Sequence, residues 1–345
     1  MQETHLCPIC GSNTQYEYNA DNDVHIFRCT DPCGSFKVYE SLAQFDHLTD
    51  KERRYLSIVN RNLNRYDCWR GYRDGGRSTL RDHKTVEAIA RAYGFDDAEI
   101  AYAGGCEGSL YLIEADEQRY TLRLYAKDYD RVRSELCWLE SLKGARIDVL
   151  ENVPTPDGAN ILKNNDPSNV ERAYAVLYRW IEGRPFQLVS DEEKTSEFIA
   201  QFGEFVGRMH EHGHGFEPPE WFVAPHQSSE TIQQHIAAAE DGEARKVGEQ
   251  LLPLINALGD DSYGVVHNDL TSLNAIYGNG RFSAIDWGGF QWGYFATDLA
   301  LLCCEELTNE QYAPFFDGYR RIRSLSDVFT ENVELFKKVR QLGFI

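Results

Sequence analysis

Between residues 265 and 288, two short apolar runs each end on an acidic residue at a turn, and nothing else in the chain limits its fold as strongly. The first run, Val265-Val266, leads into His267-Asn268-Asp269-Leu270-Thr271-Ser272-Leu273-Asn274, after which Ala275-Ile276-Tyr277 resumes a strand-like pattern. The second run, Phe282-Ser283-Ala284-Ile285, leads into Asp286-Trp287-Gly288 and puts Asp286 twelve residues past Asn274. Such runs predict short strands joined by a hairpin, with a carboxylate delivered at each turn. Any one of these residues alone reads as a turn cap or loop filler. All three at this spacing, on two strand-like runs, are not coincidence.

The residue types suit phosphoryl transfer. A hydroxyl is a poor nucleophile, so a carboxylate must orient it and accept its proton, and Asp269 is the candidate base. A triphosphate carries charge that hard cations neutralise. Mg²⁺ prefers carboxylate and carbonyl oxygens, which Asn274 and Asp286 offer. The H-x-D-x-x-x-x-N spacing followed by D-x-G matches the catalytic and metal-binding loops of kinases. His267 reads as a brace for the loop, not as a proton carrier.

Upstream, residues from Ile100 to Tyr125 read as strand, Gly-rich turn, strand, turn at Asp116-Glu117, and strand. Gly104, Gly105 and Gly108, with Ser109, would let backbone N–H groups approach phosphate oxygens without a Cβ in the way. Arg123 alternates with Leu122 and Leu124 and so points to the opposite strand face. The amphipathic run from Arg131 to Leu139 carries Glu135. A basic residue on the third strand and an acidic one on the next helix fit the pair with which kinases hold the ATP α/β-phosphates. The run from Thr85 to Gly94 predicts a helix ending at a glycine C-cap.

The region from about Ile100 to Tyr319 resembles the aminoglycoside phosphotransferase/choline kinase/homoserine kinase-like family, which shares the protein-kinase fold. The Gly-rich hairpin, Arg123, the catalytic segment and Asp286 carry the resemblance. Ala175 to Gly183 is similar to the family's hinge, whose backbone binds adenine, which implies that role for Tyr178, Arg179 and Trp180. Phe205 to His210 resembles the helix before the catalytic loop, and Asp298-Leu299-Ala300 resembles the family's D-L-A, where the Asp begins a helix. Asp286 and Asp298 are only twelve residues apart and no A-P-E follows, which favours a small-molecule acceptor over a protein. The chain departs from the pattern at Asn268, where many relatives have Gly, and at Trp287 beside Asp286. The resemblance implies ATP and Mg²⁺ as cofactors and an α+β, bilobal protein-kinase-like fold, with an antiparallel-sheet N-lobe and a mostly helical C-lobe.

A small zinc ribbon is expected ahead of this fold. Cys7-Pro8-Ile9-Cys10 and Cys29-Thr30-Asp31-Pro32-Cys33 are separated by eighteen residues. Two such pairs can place four thiolates around a structural Zn²⁺, whose binding would supply folding energy on the order of 10 kcal/mol. The expected organisation is a zinc-ribbon-like segment over 1–40, a helical connector over 41–95, an N-lobe and hinge over 96–183, and a C-lobe over 184–345. The net charge of -20 disfavours nucleic acid and anionic membranes as partners. No apolar run of about 18 residues appears, and the N-terminus has no signal-peptide pattern, so a cytoplasmic enzyme is expected. Its partner is expected to be a hydroxyl-bearing small molecule (amino alcohol, hydroxy amino acid, sugar or aminoglycoside-like). The ribbon is a candidate for docking a protein. Two alternatives stand beside this reading: a nucleotide-binding pseudokinase or scaffold, and a kinase of a protein or carrier-bound acceptor recruited by the ribbon. Trp292 and Tyr294 are candidates for the acceptor pocket or for the core.

Overall fold

The computed structural model describes residues 4–6, 13–19, 24–29, 34–38, 85–104, 108–126, 128–164 and 172–345. It divides into two units, residues 1–128 with 152–180 and residues 129–151 with 181–345. The expected zinc site falls outside the described residues: Cys7, Cys10 and Cys33 are not among them, and Cys29 is described only as the last residue of a strand. Most of the expected connector over 41–95 lies outside them too.

The first unit opens with four antiparallel strands, β1 (Thr4–Leu6), β2 (Asn13–Asn19), β3 (Val24–Cys29) and β4 (Gly34–Val38), in that spatial order. Helix α1 spans 85–92 and stops at Gly94, whose φ of 89° suits a residue without a Cβ. The Phe95 N–H closes it on the Ala90 carbonyl at 3.0 Å, as the sequence predicted. The main sheet comprises β5 (Glu99–Gly104), β6 (Gly108–Ala115), β7 (Gln118–Tyr125), β8 (Asn152–Val153), β9 (Leu162–Lys163) and β10 (Tyr174–Arg179). Its antiparallel order is β5-β6-β7-β10-β8, with β9 also on β10. The β6–β7 turn is the expected Asp116-Glu117, with φ of 50° and 60°, the double left-handed form that matches strand twist in two-residue hairpins. Strand β7 is central, so Leu122, Arg123, Leu124 and Tyr125 are all buried.

The second unit is mostly helical. It contains α2 (Tyr129–Gly144), β11 (Arg184–Pro185), α3 (Ser196–His214), α4 (Ser229–Ala238) and α5 (Gly242–Ala257). Strands β12 (Tyr263–Val266), β13 (Ala275–Gly278), β14 (Arg281–Ala284) and β15 (Gln291–Tyr294) follow. Helices α6 (Ala296–Leu301), α7 (Asn309–Arg320), α8 (Asp327–Glu331) and α9 (Val333–Gln341) complete it. The predicted hairpin is β13–β14, extended by β11, while β12 pairs with β15. No described helix is long and apolar enough to cross a membrane.

Helix α3 begins at Thr195, whose hydroxyl accepts the Phe198 N–H at 3.3 Å, a standard cap for an orphan donor. Its Phe198 and Phe202 pack with Phe186, Phe282 and Phe315 in one aromatic core. Glycines let α3 cross α7 closely: a Cβ at Gly203 would collide with the Phe315 carbonyl, and one at Gly318 with that of Ala200. These contacts are backbone to backbone, so no side chain can rotate away. Gly203→Ala is therefore expected to lower stability by about 1–3 kcal/mol, as overpacking does, read from the denaturant midpoint. Gly144→Ala, where a Cβ meets nothing within 4 Å, serves as the control without loss.

Candidate active site

Strand β12 is buried through Gly264, Val265 and Val266 and feeds directly into the predicted catalytic loop. The loop is held from beneath by Asp298 on α6. Its Oδ2 accepts the His267 N–H at 2.9 Å and its Oδ1 the Asn268 N–H at 2.7 Å. The His210 Nε2–H of α3 reaches Oδ2 at 3.2 Å. Asp298 and His210 are each 1% exposed, so this carboxylate has protein donors in place of water. Burial alone would raise the Asp298 carboxyl, but the His210 bond, the nearby imidazoles and the His267 N–H outweigh it and hold it below the usual range. Burial pushes the His210 imidazole down. The pair is thus a carboxylate and a neutral imidazole. The Tyr319 hydroxyl lies 3.0 Å from His210 Nδ1, and with Nε2 donating to Asp298 it is the tyrosine that donates.

His267 ties this loop to the next one. Its Nε2 bonds the Ile285 carbonyl at 2.9 Å, and its Nδ1 accepts the Asp269 N–H at 3.3 Å. The ring is a brace, as expected from sequence. Trp287 packs 4.4 Å from it and donates its indole N–H to Ala284 O at 3.1 Å. Behind Trp287 stands Trp138 of α2 in an edge-on contact at 6.1 Å. Arg131, about two turns before Trp138 on the same helical face, lies 3.7 Å over the Phe290 ring and donates to the Phe290 carbonyl.

Asn274 donates its amide to the Asp269 backbone oxygen at 2.7 Å and to the Asp269 carboxylate Oδ2 at 3.2 Å. With Nδ2 engaged there, the Asn274 Oδ1 is on the far side of the amide from Asp269. The Ile285 N–H bonds the Asn274 carbonyl at 2.9 Å, which brings Asp286 beside Asn274. Asp286 takes a left-handed conformation, φ 58° and ψ 58°, uncommon outside glycine. The Asp269 side chain opens to solvent on one side, yet the protein crowding its carboxylate, with the Asp286 charge, raises its pKa against opposing effects of His267, Arg340 and Asn274. The Asp286 charge thus bears on the Asp269 carboxylate, and the Asn274 side chain bonds that same carboxylate.

The structure brings Asp269, Asn274 and Asp286 together. The other predicted residues are distributed as follows. Gly104 closes β5, and Gly108 and Ser109 open β6, while Gly105 lies outside the described residues. Arg123 is buried on β7, 5.0 Å over the Tyr125 ring, and Glu135 is buried on α2. Tyr178 and Arg179 end β10, and the Tyr178 hydroxyl meets that of Tyr125 at 2.7 Å. The Trp180 N–H is engaged by the Arg119 carbonyl at 3.1 Å. Trp292 stacks on His226 and Phe216, and Tyr294 packs on Tyr263. Sequence reasoning missed Arg340. From α9 its Nη2 donates to the Asn268 carbonyl at 2.8 Å, and its Nη1 approaches the Asn268 Oδ1 at 3.4 Å. No local pattern marks this residue, because the contact spans 72 positions.

An antiparallel sheet, a mostly helical unit, and a loop that brings Asp269, Asn274 and Asp286 together are the architecture of a kinase-like phosphotransferase. The chain belongs to the phosphotransferase enzyme family (APH), whose sequence profile matches residues 99–328. It is 24% identical over 285 residues to amicoumacin kinase of Bacillus subtilis (strain 168), covering 74% of this chain and 81% of that protein. The solved amicoumacin kinase hAmiN, in complex with AMP-PNP, Ca2+ and Ami, superposes with a TM-score of 0.63 at 18% identity, over 78% of this chain and 86% of that one. A microcompartment-associated aminopropanol kinase superposes with a TM-score of 0.60 at 21% identity, over 76% of this chain and 87% of that one. These likenesses establish the kinase-like fold.

Neutral, buried His210 makes stability depend on pH. The unfolded chain binds a proton at His210 below about pH 6.5, whereas the folded chain resists it until lower pH, so stability is full above 6.5 and falls beneath it. The fall from this group is at most about 1.4 kcal/mol per pH unit. The depressed Asp298 carboxyl acts in a lower window, beneath the ordinary carboxylate range. Urea midpoints between pH 7.5 and 5.5 should decline, while the His210 ring keeps its neutral NMR signature through pH 6.5.

Proposed function

We propose that the chain moves the γ-phosphoryl group of Mg-ATP to a hydroxyl of a small molecule, of the amino alcohol, hydroxy amino acid, sugar or aminoglycoside-like class. The observation that carries this reading is the Asp269–Asn274 pair beside Asp286. Asn274 occupies Oδ2 of Asp269, so Oδ1 is the atom open to an incoming hydroxyl. Crowding that raises the Asp269 carboxyl makes its anion a better proton acceptor. Mg²⁺ would be held by Asn274 Oδ1 and the Asp286 carboxylate, and supplies charge neutralisation at the phosphates. Asp298 and His267 keep the loop in place while Asp269 accepts the hydroxyl proton.

On the nucleotide side, the glycine turn of Gly104, Gly105, Gly108 and Ser109 would approach the phosphates. Arg123 would clamp them, and the backbone at Tyr178, Arg179 and Trp180 would take the adenine. Structural Zn²⁺ on Cys7, Cys10, Cys29 and Cys33 belongs to the same reading, with the N-terminal segment as a candidate protein-docking element. The aminopropanol kinase is named for an amino alcohol, and the acidic balance of this chain suits an amine-bearing acceptor.

ADP release should be measured across aminoglycosides, amino alcohols, hydroxy amino acids and sugars. A responding acceptor is expected, with turnover reduced about 10²-fold or more in Asp269→Asn, the scale of general-base catalysis. Undiminished turnover in that variant would remove Asp269 from its role. Tight Mg-ATP binding with no responding acceptor would move the search to protein or carrier-bound hydroxyls.

A further inference from the structure

Helix α9 is fixed to the second unit by contacts of its own. Phe336 and Val339 are buried, the Lys337 ammonium reaches the Tyr312 hydroxyl at 3.1 Å, and the Lys337 carbonyl accepts Cys304 Sγ–H at 3.3 Å. Beyond it the chain turns back at Gly343, φ 75°, with Phe344 N–H on the Val339 carbonyl at 3.1 Å. Phe344 and Ile345 are buried. From this anchored helix Arg340 spreads its guanidinium over two targets. Nη1 donates to the Ile345 carbonyl at 2.8 Å, and Nη2 to the Asn268 carbonyl at 2.8 Å.

Asn268 is the residue just before the base, and its φ of 66° makes the loop turn there. Asn tolerates this left-handed region better than most residues, but it is still less favourable than the ordinary basins. A guanidinium fork suits such a place, because it fixes direction as well as charge.

We infer that Arg340 is a positioning residue for phosphoryl transfer, clasping the Asn268 turn from α9 so that Asp269 stays directed at the acceptor hydroxyl. The inference rests on Asp269 being the base. Because α9 has its other anchors, loss of the guanidinium releases the turn without unfolding the helix.

The test uses full-length Arg340→Gln and Arg340→Lys. ADP release from Mg-ATP, with water as the acceptor, gives kcat and KM, calorimetry gives Mg-ADP affinity, and amide exchange is followed at residues 267–271. Arg340→Gln should lower kcat about 10- to 100-fold, the scale of a small misplacement of a reacting group. KM and Mg-ADP affinity should stay at wild-type values, and exchange should quicken at 267–271 only. Arg340→Lys keeps the charge without the planar fork and should recover part of the lost kcat. The proposal is overturned by unchanged kcat in Arg340→Gln, by full recovery in Arg340→Lys, or by kcat, nucleotide affinity and global stability falling together. Absence of Asp269-dependent turnover in the wild type defeats the base assignment instead. Amide exchange then decides the clasp, and equal protection of 267–271 in Arg340→Gln and wild type overturns it.

Discussion

The carboxylate of Asp298 is a charge taken almost wholly out of water, and the catalytic unit is arranged to compensate it. Two successive backbone N–H groups, from His267 and Asn268, point at its two oxygens, and the His210 imidazole donates a third bond. An anion so placed is tolerable only while all its donors remain, since an uncompensated buried charge costs several kcal/mol. With both amides engaged, the chain turns sharply at the second of them before it reaches Asp269. The left-handed Asn268 is that bend. The exposed position of Asp269 is therefore a consequence of how its predecessors are held.

The same economy links the Asp269 loop to Asp286. Ile285, the last residue before Asp286, gives its N–H to the Asn274 carbonyl and takes the Nε2–H of His267 on its own carbonyl. One peptide segment thus fixes Asp286 against both ends of the catalytic loop. Trp287 then fills the space behind His267, and Trp138 of α2 fills the space behind Trp287. The indole of Trp287 is accounted for by this packing. Phosphoryl transfer depends on positioning more than on covalent chemistry, and a site tied through backbone groups has little freedom to drift.

What could be read from sequence was what is local. The Asp116-Glu117 turn, the helix ending at Gly94 and the β13–β14 hairpin each rest on a few adjacent residues, and each stands where the pattern put it. The spacing of Asp269, Asn274 and Asp286 was legible because one loop and one hairpin bring them together. Asp298 was visible only as the start of a helix, because its partners are backbone amides that carry no letter in the sequence. His210 read as one more residue of a helix, though its neutral state decides which atom donates to Asp298. Trp292 was ambiguous between pocket and core, and its stacking on His226 and Phe216 depends on the β12–β15 pairing, which no short window reveals. The close crossing of α3 over α7 hides in the same way, since a glycine is silent about which carbonyl approaches it.

Asn268 also shows how a strained turn is kept. Its N–H faces the Asp298 anion and its carbonyl faces the Arg340 cation, so charges of opposite sign sit at the two ends of its polar groups in the sense each prefers. The left-handed conformation costs on the order of 1–3 kcal/mol for a non-glycine residue. Charge-assisted hydrogen bonds contribute about 1.5–3 kcal/mol each, so two of them offset that cost with some to spare. A glycine at this position would need neither charge to reach the same φ, but it would also be free to leave it. An asparagine held at both ends trades that freedom for a fixed direction of the following carboxylate, and direction is what the base role proposed for Asp269 requires.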